Sequence, residues 1–462
     1  MTQVATLTLR RDEFARRVEA LPKEVSSWKE RTTAELDDMN AHFSQLEALE
    51  VLMNALVERQ RTLLETLNPN GDVEQFRVGA LSLVQEVIKS QRVWDFFRDK
   101  LELRFSPDFK DVLWTADTIA WDCYRPVMDR AVQAGIVPAE EVREPPLTYL
   151  TAEFSPATWV RGSRPNDGRN YDLGTSTLPI PVIEIPWDHL GNLWELVSLQ
   201  HEVGHDLEAD LKLRGDLLAS LTAKLTEAAA PTERVKTWVA WEGEIFADLV
   251  GMQLGGPAFS RGLMHLILLP SAMVTTYDAT DPHPTHYVRV LMNAAYLRTL
   301  VKDNQALNDA ADEIETVWKE LYGEVASFAP FESDFPHVFA ALMDTKLAPL
   351  GNRTVRELMP FSAADNTRIR SAAAYLRTGQ NAPGPQSMAP RHAASAARIA
   401  AADAVEEALG GAAAANGQAA ETLGSINQRL VELVKDQAAP GLRAGEMSDP
   451  HKRFVAGFAE LL

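Results

Sequence analysis

His201 and His205 enclose Glu202, Val203 and Gly204 in an H-E-x-x-H sequence. Residues four apart on a helix are separated by about 40° around its axis, so both imidazoles face the same way and can hold one zinc ion. Glu202 sits about 100° round from His201. From there its carboxylate reaches water at the metal, accepts a proton and passes it to a leaving amine. Gly204 has no Cβ and lets another backbone or a substrate come close. The chemistry is metal-assisted hydrolysis, and it still needs a third protein ligand.

An extended H-E-x-x-H-x-x-G-x-x-H pattern would supply a third histidine, but Glu208 and Leu211 occupy the glycine and histidine positions. That arrangement is excluded. The stretch WEGEIFADLVG, Trp241 to Gly251, offers carboxylates instead. Glu244 and Asp248 are four apart and share a face with Ala240, Ala247 and Gly251, while Trp238, Ile245, Phe246 and Leu249 make the rest of the helix apolar. Two acids along an apolar helix are unfavourable to bury unless a cation compensates them. Zinc would do so, with Glu244 as the third ligand and Asp248 taking the free ring N–H of a ligand histidine. Glu242 lies about 200° from Glu244 and cannot face the same ion. The competing reading is an exposed acidic stripe.

HEVGHD followed by EIFADLVG resembles the gluzincin metallopeptidases, whose pattern is H-E-x-x-H and then E-x-x-x-D on a later helix. The E-x-x-A-D-x-x-G form is similar to the HtpX and CAAX-protease group, and DPHPTHYVRVL, with His283, Pro284 and Arg289, is similar to that group's H-P-x-x-x-x-R segment. The resemblance runs from Leu193 to Leu300. It implies a zincin-like core and hydrolysis of peptide bonds. That group is typically embedded in membranes and this chain has no evident spanning segment, so a membrane substrate is not implied. Peptide hydrolysis at zinc also needs a donor for the developing oxyanion, for which His283, His286, Tyr287 and Arg289 are candidates. His283 and Arg289 are expected to be catalytic; alternatively, Asp281 and His283 cap a helix and Arg289 pairs with an acid. His189 is expected to cap the motif helix. His42, His265, His337, His392 and His451 have no partner spacing.

These residues must be positioned by a chain of 462 residues with 45 basic and 65 acidic side chains, a net charge of −20 and 46% apolar residues. Such a composition belongs to a globular protein with room for a substantial core. The acid excess argues against nucleic-acid partners. Cys123 is the single cysteine and cannot form an intrachain disulfide, which fits a reducing compartment. Gly262 to Val274 is interrupted by His265 and Pro270 and falls short of the roughly 20 residues that span a bilayer. The start, MTQVATLTLRRDEF, has no apolar signal region, so a cytoplasmic location is expected. No glycine fingerprint for a nucleotide or dinucleotide cofactor is present.

Residues 1–144 read as a helical amino-terminal region, broken by NPNGD at Asn68 to Asp72. Residues 145–350 read as a zincin-like catalytic region. There the prolines of LPIPVIEIP place Val182 to Ile185 on a sheet edge over the motif helix, which is expected from Leu193 to Leu213. A helical extension (351–378), a Pro- and Gly-rich linker (379–394) and an Ala-rich helical tail (395–462) follow. The amino-terminal helices are expected to wall the cleft, and they or the tail could shield it until a regulatory partner or a cut removes them. The expected fold is α+β and predominantly α-helical. The expected function is a zinc-dependent peptidase, an endopeptidase on a protein or peptide. The alternatives are a zincin-like binding or regulatory protein without turnover, and a metal-free helical interaction protein.

Overall fold

A computed structural model describes residues 2–35, 42–138, 143–163, 177–278, 281–381, 388–410 and 415–435, with positions 452 and 456. The first helices are α1 (Gln3–Val18), α2 (Ala20–Glu35), α3 (Phe43–Thr66), α4 (Val73–Glu102) and α5 (Lys110–Gln133). The NPNGD break separates α3 from α4, and Asp72 starts α4 by accepting the Gln75 N–H at 2.8 Å. Strands β1 (Leu147–Thr151), β2 (Ala157–Trp159) and β3 (Val182–Pro186) follow. Next come α6 (Leu199–Asp210), α7 (Arg214–Glu227), α8 (Thr232–Ala240), α9 (Glu242–Gly255), α10 (Pro257–Leu266), α11 (Ser271–Val274) and α12 (His286–Leu300). The remainder is α13 (Gln305–Tyr322), α14 (Ala329–Glu332), α15 (Phe335–Leu342), α16 (Val355–Leu358), α17 (Ala363–Thr378), α18 (Pro390–Gly410) and α19 (Ala415–Lys435). The fold is predominantly helical with one small sheet, and no described helix is long and apolar enough to cross a membrane.

The sheet has the order β1-β3-β2, with β1 parallel and β2 antiparallel to β3. Val182 to Ile185 therefore form its centre, which corrects the expected edge position. The prolines explain the difference. Pro181 precedes the strand and offers only its carbonyl, which accepts the Leu147 N–H at 2.9 Å, while Pro186 is the last residue in register. The donors of residues 182–185 stay available to both neighbours. Alternation then divides the sheet's faces. Leu147, Tyr149 and Val182 join α2, α3 and α4 in one apolar cluster; Leu150, Ile183 and Ile185 join the larger core built around α5, α6 and α9. Both faces are covered.

A buried charge network fixes the amino-terminal helices to this sheet. Arg104 grips Asp117 with Nη2 at 2.7 and 2.9 Å and Nε at 3.0 Å, and Asp117 also accepts the Thr148 backbone N–H at 3.0 Å. Each group in that set is satisfied, as buried charges require.

At the other end of the chain, α18 packs against α17, α5 and α10. Ala393, Ala394, Ala396, Ala397 and Ala400 are each 0% exposed within the larger core. Of the Gly379 to Ala394 stretch, residues 382–387 lie outside the described residues, and α18 already begins at Pro390.

Candidate metal centre

Helices α6 and α9 carry the centre, and a glycine sets how closely they cross. A Cβ at Gly204 would sit 2.8 Å from Ala247 Cα and 3.2 Å from its carbonyl oxygen. Any larger residue would force α9 away. Ala247 directly precedes Asp248 and follows Glu244 by three, so this crossing brings both acids up to the histidines. The motif helix is shorter than its expected range: Leu193 to Ser198 form a 3₁₀ turn and α6 starts at Leu199. His189 does not cap it. That residue lies in a separate turn, Trp187–Leu190, and the α6 cap position, Ser198, makes no side-chain cap bond.

His201 Nε2 lies 3.2 Å from His205 Nε2 and 3.3 Å from Glu244 Oε2, and His205 Nε2 lies 3.4 Å from Glu244 Oε1. Among the described residues these three form the group able to hold a metal ion. A tetrahedral zinc ion with ligands at roughly 2.0–2.1 Å has ligand-to-ligand edges of about 3.3–3.4 Å. The two histidine nitrogens stand close to one such edge apart, and each faces a different oxygen of Glu244 at a similar distance.

Asp248 holds the other nitrogen of His201, with Nδ1 2.8 Å from Oδ1. A carboxylate only accepts, so Nδ1 carries the hydrogen and Nε2 is left to face Glu244. Arg289 in turn clamps Asp248, donating from Nε to Oδ2 at 2.6 Å and from Nη2 to Oδ1 at 2.8 Å. It enters one turn into α12, which begins at His286. Both members of this clamp are buried. The acids of α9 therefore do not form an exposed stripe. Glu242, wholly buried, turns instead toward Glu208 on α6; burial and that neighbour push its pKa up to about 8.

Burial opposes a charged His201 ring, but hydrogen bonds to Asp248 and Glu244 overcome this and raise its pKa to about 10. Burial opposes the charge of Glu244 and Asp248 too. The histidines hold Glu244 below the usual carboxylate range, and Arg289 and His201 do the same for Asp248. Glu202 behaves differently. Among the described residues no ion pair holds it, and burial lifts its pKa above the ordinary value against the partial offset of His201 and His205. A general base benefits from that shift toward neutrality.

The centre opens into a cavity of about 980 Å³ lined by His201, Glu202, His205, Glu244, His283 and Arg289 among others. His283 stands at its mouth, 48% exposed in its side chain, with Nε2 3.6 Å from Glu244 Oε1. Asp281 Oδ1 anchors it by accepting the backbone N–H and facing ring Nδ1, both at 2.9 Å. Asp281 and His283 precede α12 and do not cap it. His286 also lines the cavity, but Tyr287 turns away and donates its hydroxyl to the Gly323 carbonyl at 2.9 Å. Among the described residues, those lining the cavity fall between Phe154 and Arg289, and none belongs to the amino-terminal helices, α18 or α19. That corrects the expected amino-terminal wall: α2, α3 and α4 cover the far face of the sheet, and α5 packs on α6 within the core.

Sequence reasoning missed Phe259, whose ring lies parallel to His201 at 6.4 Å between centroids. The glycine at position 251 admits it, since a Cβ there would sit 2.6 Å from the ring. Nothing in the spacing of the motif residues pointed to α10, the helix that carries Phe259. No protein-family profile, curated protein or solved structure matches the chain.

Proposed function

We propose that the protein is a zinc-dependent peptidase with a zincin-like core. The observation that supports this reading best is the grouping of His201, His205 and Glu244, with the two Nε2 atoms 3.2 Å apart and each 3.3 to 3.4 Å from one Glu244 oxygen, beside the buried Glu202 carboxylate, which no ion pair among the described residues holds, in the same cavity. Bound there, zinc supplies Lewis acidity toward a carbonyl and lowers the pKa of water. Glu202 takes the proton from the attacking water and returns it to the leaving amine. His283 donates from Nε2 to the oxyanion, with Asp281 holding the ring's other side. Arg289 acts mainly through Asp248, which keeps the His201 ring in one tautomer and orientation.

A peptide substrate is favoured by strand β2. One edge of β2 pairs with β3, while Ala157, Thr158 and the preceding Ser155 and Pro156 line the cavity beside α6. An extended peptide can add to such an edge. The test compares protein termini generated in a proteome extract by zinc-loaded wild type and by Glu202→Gln. New termini made by wild type alone are expected. Identical terminus sets would remove the peptidase reading and leave a zincin-like binding protein.

A further inference from the structure

The cavity is polar on the α6 and α9 side and apolar on the side built by α10 and the turn before α6. Val197, Phe259, Leu263, Leu266, Ile267 and Leu269 form that second wall. It starts at the metal centre itself, because the Phe259 ring is stacked on a ligand histidine with only 7° between planes. Two glycines fix its position. Gly251 receives the Phe259 ring, and Gly262 brings α10 against Val197, where a Cβ would meet Val197 Cγ1 at 2.6 Å. The wall is therefore a packed surface at a set distance from the reacting atoms.

Charge at this end is already neutralised. Glu195 lines the cavity there, but Arg398 donates to its Oε1 at 2.8 Å and His265 Nδ1 lies 3.2 Å away. A basic substrate side chain would find a carboxylate with its partners in place. An apolar side chain would find surface to cover, and burial of such surface is favourable in proportion to its area.

Resting on the peptidase reading, we infer that this wall receives a large uncharged apolar side chain, Leu, Ile, Met or Phe, on the substrate residue flanking the scissile bond. The wall residues are specificity determinants: they touch the substrate side chain and leave the metal chemistry to α6 and α9. Leu266, half-buried on the cavity surface, is the position where a charge can be introduced with least disturbance to the core.

The test is cleavage of a peptide library by the full-length zinc-loaded protein, with products read by mass spectrometry, for wild type, Leu266→Met and Leu266→Asp. Wild type and Leu266→Met should prefer Leu, Ile, Met or Phe over Ala at one flanking position by about tenfold or more, the scale of small pocket differences. Leu266→Asp should lose that preference by about tenfold and gain cleavage beside Lys or Arg, with zinc content unchanged. Cleavage by wild type with no apolar preference, or with a charged one, would overturn the inference and leave the peptidase reading intact. Absence of any cleavage by zinc-loaded wild type would overturn the peptidase reading, and this inference with it.

Discussion

Asp248 and Arg289 show how side chains outside the His201, His205 and Glu244 group can set the orientation of one of its members. The guanidinium neutralises a fully buried carboxylate, and that carboxylate fixes one ring of the ligand pair. Asp248→Ala should weaken zinc affinity about 10–100-fold, as losses around a ligand histidine do. Arg289→Ala should weaken zinc binding as well and destabilise the protein by about 3–5 kcal/mol, because it strands a buried charge. Unchanged zinc affinity with only turnover reduced would instead assign Arg289 to the oxyanion. The raised pKa of His201 sets a pH dependence. Its stabilising contribution to the metal-free protein is complete below the ordinary value of 6.5 and is lost as pH rises through about 10. Zinc must displace that proton, so loading at pH 8 should release about one proton per ion, and affinity should rise with pH up to that value. Calorimetric titration in two buffers of different ionisation heat measures the count; zero release would contradict the assignment.

Between elements, the decisive contact is the crossing of α6 and α9 at Gly204. Gly204→Ala needs α9 to retreat by several tenths of an ångström at Ala247, which draws Glu244 away from both histidines. The expected result is a loss of about 1–3 kcal/mol in stability together with weaker zinc binding, read by melting temperature with and without chelator. Wild-type zinc affinity in a folded Gly204→Ala protein would show that the crossing does not set the centre. The two helices were legible in the sequence, because a spacing of four places His201 with His205 and Glu244 with Asp248 on single faces. Their depth of burial and the Ala247 contact were not, since spacing along one helix says nothing about the partner that covers it. The 3₁₀ turn from Leu193 to Ser198 was missed for a related reason: its apolar residues pack equally well in either helical form. In β3, prolines that looked like edge markers sit at the strand's ends, where a missing donor costs nothing.

Across the whole molecule, the region around α6 and α9 and the Ala-rich carboxy-terminal segment share a core. Small side chains let α18 lie close to its neighbours, and the same smallness gave the segment only a weak amphipathic signature in sequence. A chain ended at Thr378 would lose five wholly buried alanines from that core. Circular dichroism of that truncate should show no cooperative melting transition; a folded truncate with the wild-type melting temperature would contradict the shared core. Of the amino-terminal helices, α2, α3 and α4 lie across the sheet from the centre, whereas α5 packs directly on α6, where the Tyr124 hydroxyl donates to Asp210, so any influence of this region on the centre has its shortest route through α5.

Zinc content of the purified protein, by mass spectrometry, across wild type, Glu202→Gln, Glu242→Ala and Glu244→Ala tests the metal centre most directly. Wild type, Glu202→Gln and Glu242→Ala should each hold one zinc ion per chain, and Glu244→Ala should hold none, because three protein ligands leave no redundancy. Wild type without zinc, or a Glu242→Ala protein that is empty beside a Glu244→Ala protein that is full, would contradict the account.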